Sequence, residues 1–135
     1  MGRMPSDRLE PAWRIPTGQG RDLGIGIVGC GGIVQQGHLP AYRRAGLRVI
    51  AVCDVDQERA QAIAHEFDVP HVAPSTEALV ATAGVDIVDI AIPPWAQPES
   101  VELAVSGGRH VLCQKPFALE MHQARRMVEN AEASG

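Results

Sequence analysis

A chain of 135 residues, 45% hydrophobic and 21% charged, is long enough for one domain with its own core and too short for two. Its formal charge of −4 argues against a nucleic-acid surface, which would be basic, and no apolar run approaches the roughly 20 residues that span a bilayer. Cys30, Cys53 and Cys113 have neither C-x-x-C nor metal-ligand spacing, so they read as buried, reduced thiols of a cytoplasmic protein, and no metal is assigned.

Residues 1–22 mix Arg, Pro and Gly without periodicity and contain no apolar core of a secretory signal. They read as a flexible leader, with Trp13 and Ile15 as candidates to pack back onto the domain that occupies residues 23–135. There the pattern changes. Gly24–Val28 is a short strand ended by Gly29, and residues 33–45 are a helix weakened by Gly37 and Pro40. Arg48–Cys53 is a second strand ended by Asp54. Asp56 caps a helix whose stripe is Ala60, Ile63, Ala64 and Phe67.

His71–Ala73 is a short third strand, and Ser75 caps a helix to about Ala83, closed by Gly84. Val85–Ile92 is the longest strand candidate and ends at Pro93-Pro94. Pro98 opens a helix through Val105, which Gly107-Gly108 stop. His110–Cys113 is a fifth strand. Met121, Ala124, Val128 and Ala131 mark a last helix, closed by Ser134-Gly135. Strands alternating with helices predict a parallel sheet covered on both faces, an α/β fold. Asp89 interrupts the fourth strand, and a charge there needs a partner that the sequence does not name.

The strongest chemical signal is GIGIVGCGGIVQQGHLPAY, residues 24–42, between a strand and a helix. Gly29, Gly31 and Val34 stand at the three positions of G-x-G-x-x-G. The first glycine permits the tight turn, the second admits a pyrophosphate to the backbone, and the third normally lets helix and strand pack closely. Asp54 ends the second strand, 23 residues beyond Gly31, where an acid accepts hydrogen bonds from a ribose diol and repels a 2′-phosphate. Val55 follows and no Arg adjoins it, so NAD is expected over NADP. The domain is therefore expected to be a doubly wound, parallel-sheet Rossmann fold, ending before the sixth strand of a 3-2-1-4-5-6 sheet.

Ligands of such sheets bind outside the carboxyl ends of the strands. Ile92-Pro93-Pro94 lies at one such end and Gln114-Lys115-Pro116 at another. Lys115 is an amine at the mouth of that crevice, suited to holding a substrate hydroxyl or transferring a proton. Among five histidines none shares metal spacing, and His38 reads as a packed or capping residue rather than a catalytic one.

Four stretches, IGIVGCGGIVQQGHLPAYRRAG, VIAVCDVD, VDIVDIAIPP and GGRHVLCQKPFAL, together resemble the Gfo/Idh/MocA family of oxidoreductases over about residues 23–135. The resemblance implies an N-terminal Rossmann domain followed by a second α/β domain that supplies most substrate contacts and the pairing of subunits into a homo-oligomer. It implies reversible oxidation of a sugar or polyol hydroxyl. By resemblance, Gly29, Gly31, Gly32 and Asp54 hold the cofactor, and Ile33, Val34, Gln97, Gln114 and Pro116 complete the cofactor-binding set. Pro93 and Pro94 flank the nicotinamide, Lys115 is the catalytic residue, and Pro116 follows a cis peptide bond.

Three residues depart from the family pattern. Gln114 replaces an acid before Lys-Pro, Gln97 stands where His is frequent, and Val34 replaces a small residue. A non-catalytic nucleotide-binding module, an inactive fragment and a site for S-adenosylmethionine are the alternative readings. Turnover on polyols separates an enzyme from a module, and titration with each nucleotide separates the ligands.

Overall fold

The computed structural model describes residues 22–135. The expected leader, with Trp13 and Ile15, lies outside the described residues except for Asp22, whose carbonyl accepts a hydrogen bond from Arg48.

Five parallel strands form one sheet in the order β3-β2-β1-β4-β5. They are β1 (Gly24–Val28), β2 (Arg48–Cys53), β3 (His71–Val72), β4 (Ile87–Ile90) and β5 (His110–Cys113). The helices between them are α1 (Leu39–Ala45), α2 (Gln57–Phe67), α3 (Thr76–Val80), α4 (Gln97–Ser106) and α5 (Met121–Ala133). A π-helical turn, Val34–His38, runs directly into α1. Strand order reverses beside β1, between its neighbours β2 and β4. That is the switch point at which this class of sheet opens a crevice.

Alternation along the strands divides the core into two layers. Ile25, Ile27 and Val52 face Val34, Leu39, Ala60, Ile63 and Ala64 on one side. Val28, Ala51, Cys53, Val88 and Ile90 face Leu79, Val101, Ala104 and Met127 on the other. Asp56 and Ser75 cap α2 and α3 as their spacing predicts, each accepting a backbone N–H three residues on.

Three expectations need correction. The fourth strand is four residues rather than the longest, because its ladder to β5 ends with Ile90 opposite Cys113 and the following residues turn toward Pro93. The third strand is Val72 rather than Ala73 at its end. The first helix is π-helical before it is α-helical, and Pro40 stands near the start of α1, directly after the π-helical turn. The last helix is present as α5, and its buried residue is Met127, whereas Met121 and Val128 are exposed.

Candidate functional site

The turn after β1 is fixed by backbone bonds. Gly29 N donates to Cys53 O (2.8 Å), and Ala91 N donates to Val28 O (2.8 Å), so β1 is stitched to both neighbours at its carboxyl end. Gly29 has φ +96°, and an added Cβ would stand 2.5 Å from the Ala91 carbonyl oxygen. This position needs glycine for the fold itself. At Gly31 and Gly32 an added Cβ would meet nothing within 4 Å. Those two glycines leave open space where the backbone faces the crevice.

Helical backbone starts at residue 32, and Val34 N and Gln35 N both donate to Gly31 O (3.0 and 3.1 Å). The amides of Gly31, Gly32 and Ile33 have no acceptor among the described residues. Donors of this kind at a helix start suit an anion. Val34 takes a different part from the one expected. Its side chain is fully buried in the core and its amide donates to Gly31 O, so it packs the turn from within.

Asp54 joins this turn from the tip of β2. Its Oδ2 accepts from Cys30 N (2.7 Å) and its Oδ1 from Asp56 N (2.8 Å). Arg59, on the first turn of α2, closes a fork on the same carboxylate, with Nη2 at 2.7 Å from Oδ1 and Nε at 3.2 Å from Oδ2. Burial pushes the Asp54 carboxyl upward, but the Arg59 side chain and the Asp56 and Cys30 amides outweigh it, and the group ends below the usual carboxylate range. It is therefore ionised at neutral pH. The expectation that no Arg lies beside Asp54 is corrected: Arg59 is five positions away in sequence and in contact through the helix turn.

Gly29, Gly31, Asp54 and Arg59 line a cleft of about 690 Å³ with Val28, Thr76, Glu77, Pro93, Trp95 and Glu99, a size suited to a small-molecule site. Gly29, Gly31, Asp54 and Pro93 are thus brought together at one wall. Pro94 follows without lining it. The fit to a dinucleotide rests on three features: open glycine space, amides without acceptors, and an ionised carboxylate at the adjacent strand tip.

A second cluster lies beside this cleft and was not legible beforehand. Asp89 has 0% exposure, and its Oδ2 accepts from the Tyr42 hydroxyl (2.7 Å) and pairs with His38 Nδ1 (2.7 Å). Its Oδ1 has no partner among the described residues. His38 and Tyr42 are four positions apart, so they share a face of the helical segment over the sheet. Gln114 Nε2 donates to His38 Nε2 (2.9 Å), which leaves the ring proton on Nδ1, toward Asp89. Gln114 Oε1 in turn accepts from Lys115 N (3.2 Å). A chain of hydrogen bonds therefore runs from a buried carboxylate to the backbone of the Lys-Pro turn. Burial, and then the bond to Asp89, push the Tyr42 hydroxyl well above its ordinary value, so it acts as a donor.

Lys115 is exposed, and the Lys115-Pro116 bond is cis, as the resemblance implied. Gln97 is fully buried: its Nε2 donates to Ile92 O (2.8 Å) and its Oε1 accepts from Cys113 Sγ (2.7 Å). The side chain thereby ties the ends of β4 and β5 together. Burial raises Cys30 to about 12 and Cys53 and Cys113 to about 11, so none of the three is a ready thiolate. No described helix is long and apolar enough to cross a membrane.

Residues 23–135 match the family model described as "Oxidoreductase family, NAD-binding Rossmann fold", GFO_IDH_MocA. The chain is 36% identical over 110 residues to a D-apiose dehydrogenase of Paraburkholderia graminis, covering 81% of this chain and 29% of that protein. It is 32% identical to a D-xylose 1-dehydrogenase (NADP(+)) of Haloferax volcanii, covering 82% and 34%. An oxidoreductase from Agrobacterium radiobacter, solved with NAD+, L-tartaric acid and magnesium, superposes with a TM-score of 0.76 at 31% identity, covering 84% and 33%. The chain spans about a third of the length of the curated relatives it matches.

Proposed function

The chain belongs to the Gfo/Idh/MocA oxidoreductase family, and from that premise we propose that it binds NAD in the cleft between the glycine turn and Asp54, as the cofactor half of a sugar or polyol dehydrogenase. The observation that carries this reading is an ionised Asp54 and the open, acceptor-free backbone at Gly31 lining one cleft, with the open backbone continuing at Gly32. The amides of Gly31, Gly32 and Ile33 would hold the diphosphate, and Asp54 would accept the hydroxyls of the adenosine ribose. Pro93 would flank the nicotinamide end. When bound, the nicotinamide supplies a hydride acceptor. Lys115 would hold the substrate hydroxyl on the side of the Lys-Pro turn and assist in removing its proton. Gln114 would orient that turn through the Lys115 amide.

NAD is favoured over NADP because Glu77 and Glu99 join Asp54 in lining the cleft, and all three oppose a further phosphate. A cytoplasmic setting is supported by three free, reduced cysteines.

Trp95 is 71% exposed and lines the cleft, so its fluorescence reports on occupancy. Titration with NAD is expected to quench it with saturation, and Asp54→Ala is expected to weaken binding about tenfold or more through loss of charge-assisted bonds to the diol. Unchanged affinity in Asp54→Ala would remove Asp54 from the site.

A further inference from the structure

We infer that His38 is a positioning residue for Lys115, and that the charge on its ring decides whether the Lys-Pro turn is tied to the buried Asp89 cluster. This rests on the reading of Lys115 above and deepens it. One amide side chain is held between an imidazole and a backbone N–H. Gln114 Nε2 stands 2.9 Å from His38 Nε2, and Gln114 Oε1 stands 3.2 Å from Lys115 N. A backbone N–H can only donate, so the atom facing Lys115 is the amide oxygen and the group facing the ring is the NH2. His38 Nε2 is therefore an acceptor, and the ring is neutral whenever both bonds are made.

Protonation reverses that arrangement. An imidazolium donates from both nitrogens, so its Nε2–H would confront the Gln114 NH2 group. Turning the amide over would satisfy the ring, but it would set the NH2 group against the Lys115 N–H. One of the two bonds breaks in either orientation. A charged His38 and a tied Lys115 turn therefore exclude each other. A carboxylate at position 114 would meet no such conflict, because it accepts on both sides. With glutamine there, the ring controls the tie.

The rest of the ring's surroundings stays fixed through the change. Its Nδ1 is 2.7 Å from Asp89 Oδ2 on β4, and Tyr42 of α1 donates to the same oxygen (2.7 Å). The His38 side chain is 12% exposed and that of Asp89 is 0% exposed. Two other titratable groups belong to this corner: Cys113 of β5 lies in the field of Asp89, and Lys115 follows Gln114. Asp89 accepts from Nδ1–H in either charge state, so it anchors the ring in both. Only the Gln114 side of the ring changes its hydrogen-bonding sense. The amine proposed to hold the substrate hydroxyl thus hangs from a turn that loosens when His38 takes up a proton.

The test is a pH titration of the isotope-labelled 135-residue chain followed by NMR, from about pH 8 to about pH 5, the range over which histidines charge. The Lys115 amide is expected to shift with the same midpoint as the His38 ring. In Gln114→Leu the ring still titrates, and the Lys115 amide is expected not to follow it. In Gln114→Glu the Lys115 amide keeps an acceptor in both charge states of the ring and is expected to lose most of its response. Thermal unfolding checks that each variant is folded, and the titration of the unsubstituted chain decides the matter if one is not. A Lys115 amide that ignores the ring in the unsubstituted chain, or that follows it equally in Gln114→Leu, would overturn the inference. No nucleotide enters this experiment, so that failure leaves the NAD site standing. Addition of NAD to the same sample tests the site separately.

Discussion

Gly29→Ala is expected to lower folding stability by about 3 kcal/mol or more, and Gly31→Ala is expected to leave it nearly untouched while weakening NAD binding about tenfold or more. The two residues flank Cys30 in the motif, where the sequence assigns the first to the turn and the second to the ligand. At Gly29, φ is +96° and the new methyl would lie 2.5 Å from the Ala91 oxygen and 2.8 Å from Ile92 Cγ2. Neither neighbour can retreat freely, because Ala91 N is bonded to Val28 O and Ile92 O accepts from Gln97. Positive-φ strain and the steric contact add, and a loss of roughly 15 °C in Tm follows for a domain of this size. At Gly31 the methyl would enter open space, so folding is unaffected and the only thing it obstructs is a ligand. Thermal unfolding beside NAD titration separates the two. Equal effects of both substitutions on Tm would contradict the assignment of Gly31 to the ligand.

His38→Ala is expected to cost roughly 3 kcal/mol, because it leaves a fully buried carboxylate with Tyr42 as its one remaining partner. Asp89 lies in β4, an interior strand of the sheet, and its Oδ1 is already unpartnered among the described residues. The cost should shrink when the charge goes as well. In a double-mutant cycle, His38→Ala combined with Asp89→Leu is expected to be less damaging than the sum of the two single substitutions, by about 1 kcal/mol or more. Additive losses, measured by denaturant unfolding, would mean that the pair has no special coupling. His38→Ala also frees the Gln114 amide, which ties this cluster to the backbone before Lys115-Pro116.

The strands Gly24–Val28, Arg48–Cys53 and His110–Cys113 were legible to the residue because apolar runs there are bracketed by Gly, Asp or Gln. The run from Val85 to Ile92 was not, since burial alone does not make a strand: Val85 is fully buried but lies outside the ladder. The face of α5 could not be read because helical phase was judged from apolar residues, while the surface it meets selects Met127. Within the site, Gly29, Gly31 and Asp54 were visible as a motif, and the acceptor-free amides follow from the helix start after them. Arg59 was missed because adjacency was sought in sequence, whereas the helix after Asp54 returns position 59 to the strand tip. The partners of Asp89 were missed for a related reason. They sit 51 and 47 residues earlier, on a helix face whose register with the sheet is set by packing.

The most direct test of nucleotide binding at the glycine turn is an amide chemical-shift map of the ¹⁵N-labelled chain titrated with NAD. Saturable shifts are predicted at Gly29, Gly31, Gly32 and Asp54, together with the Trp95 indole. Shifts confined to the groove of Glu102, Arg126 and Asn130 between α4 and α5, or no shifts at millimolar NAD, would contradict it.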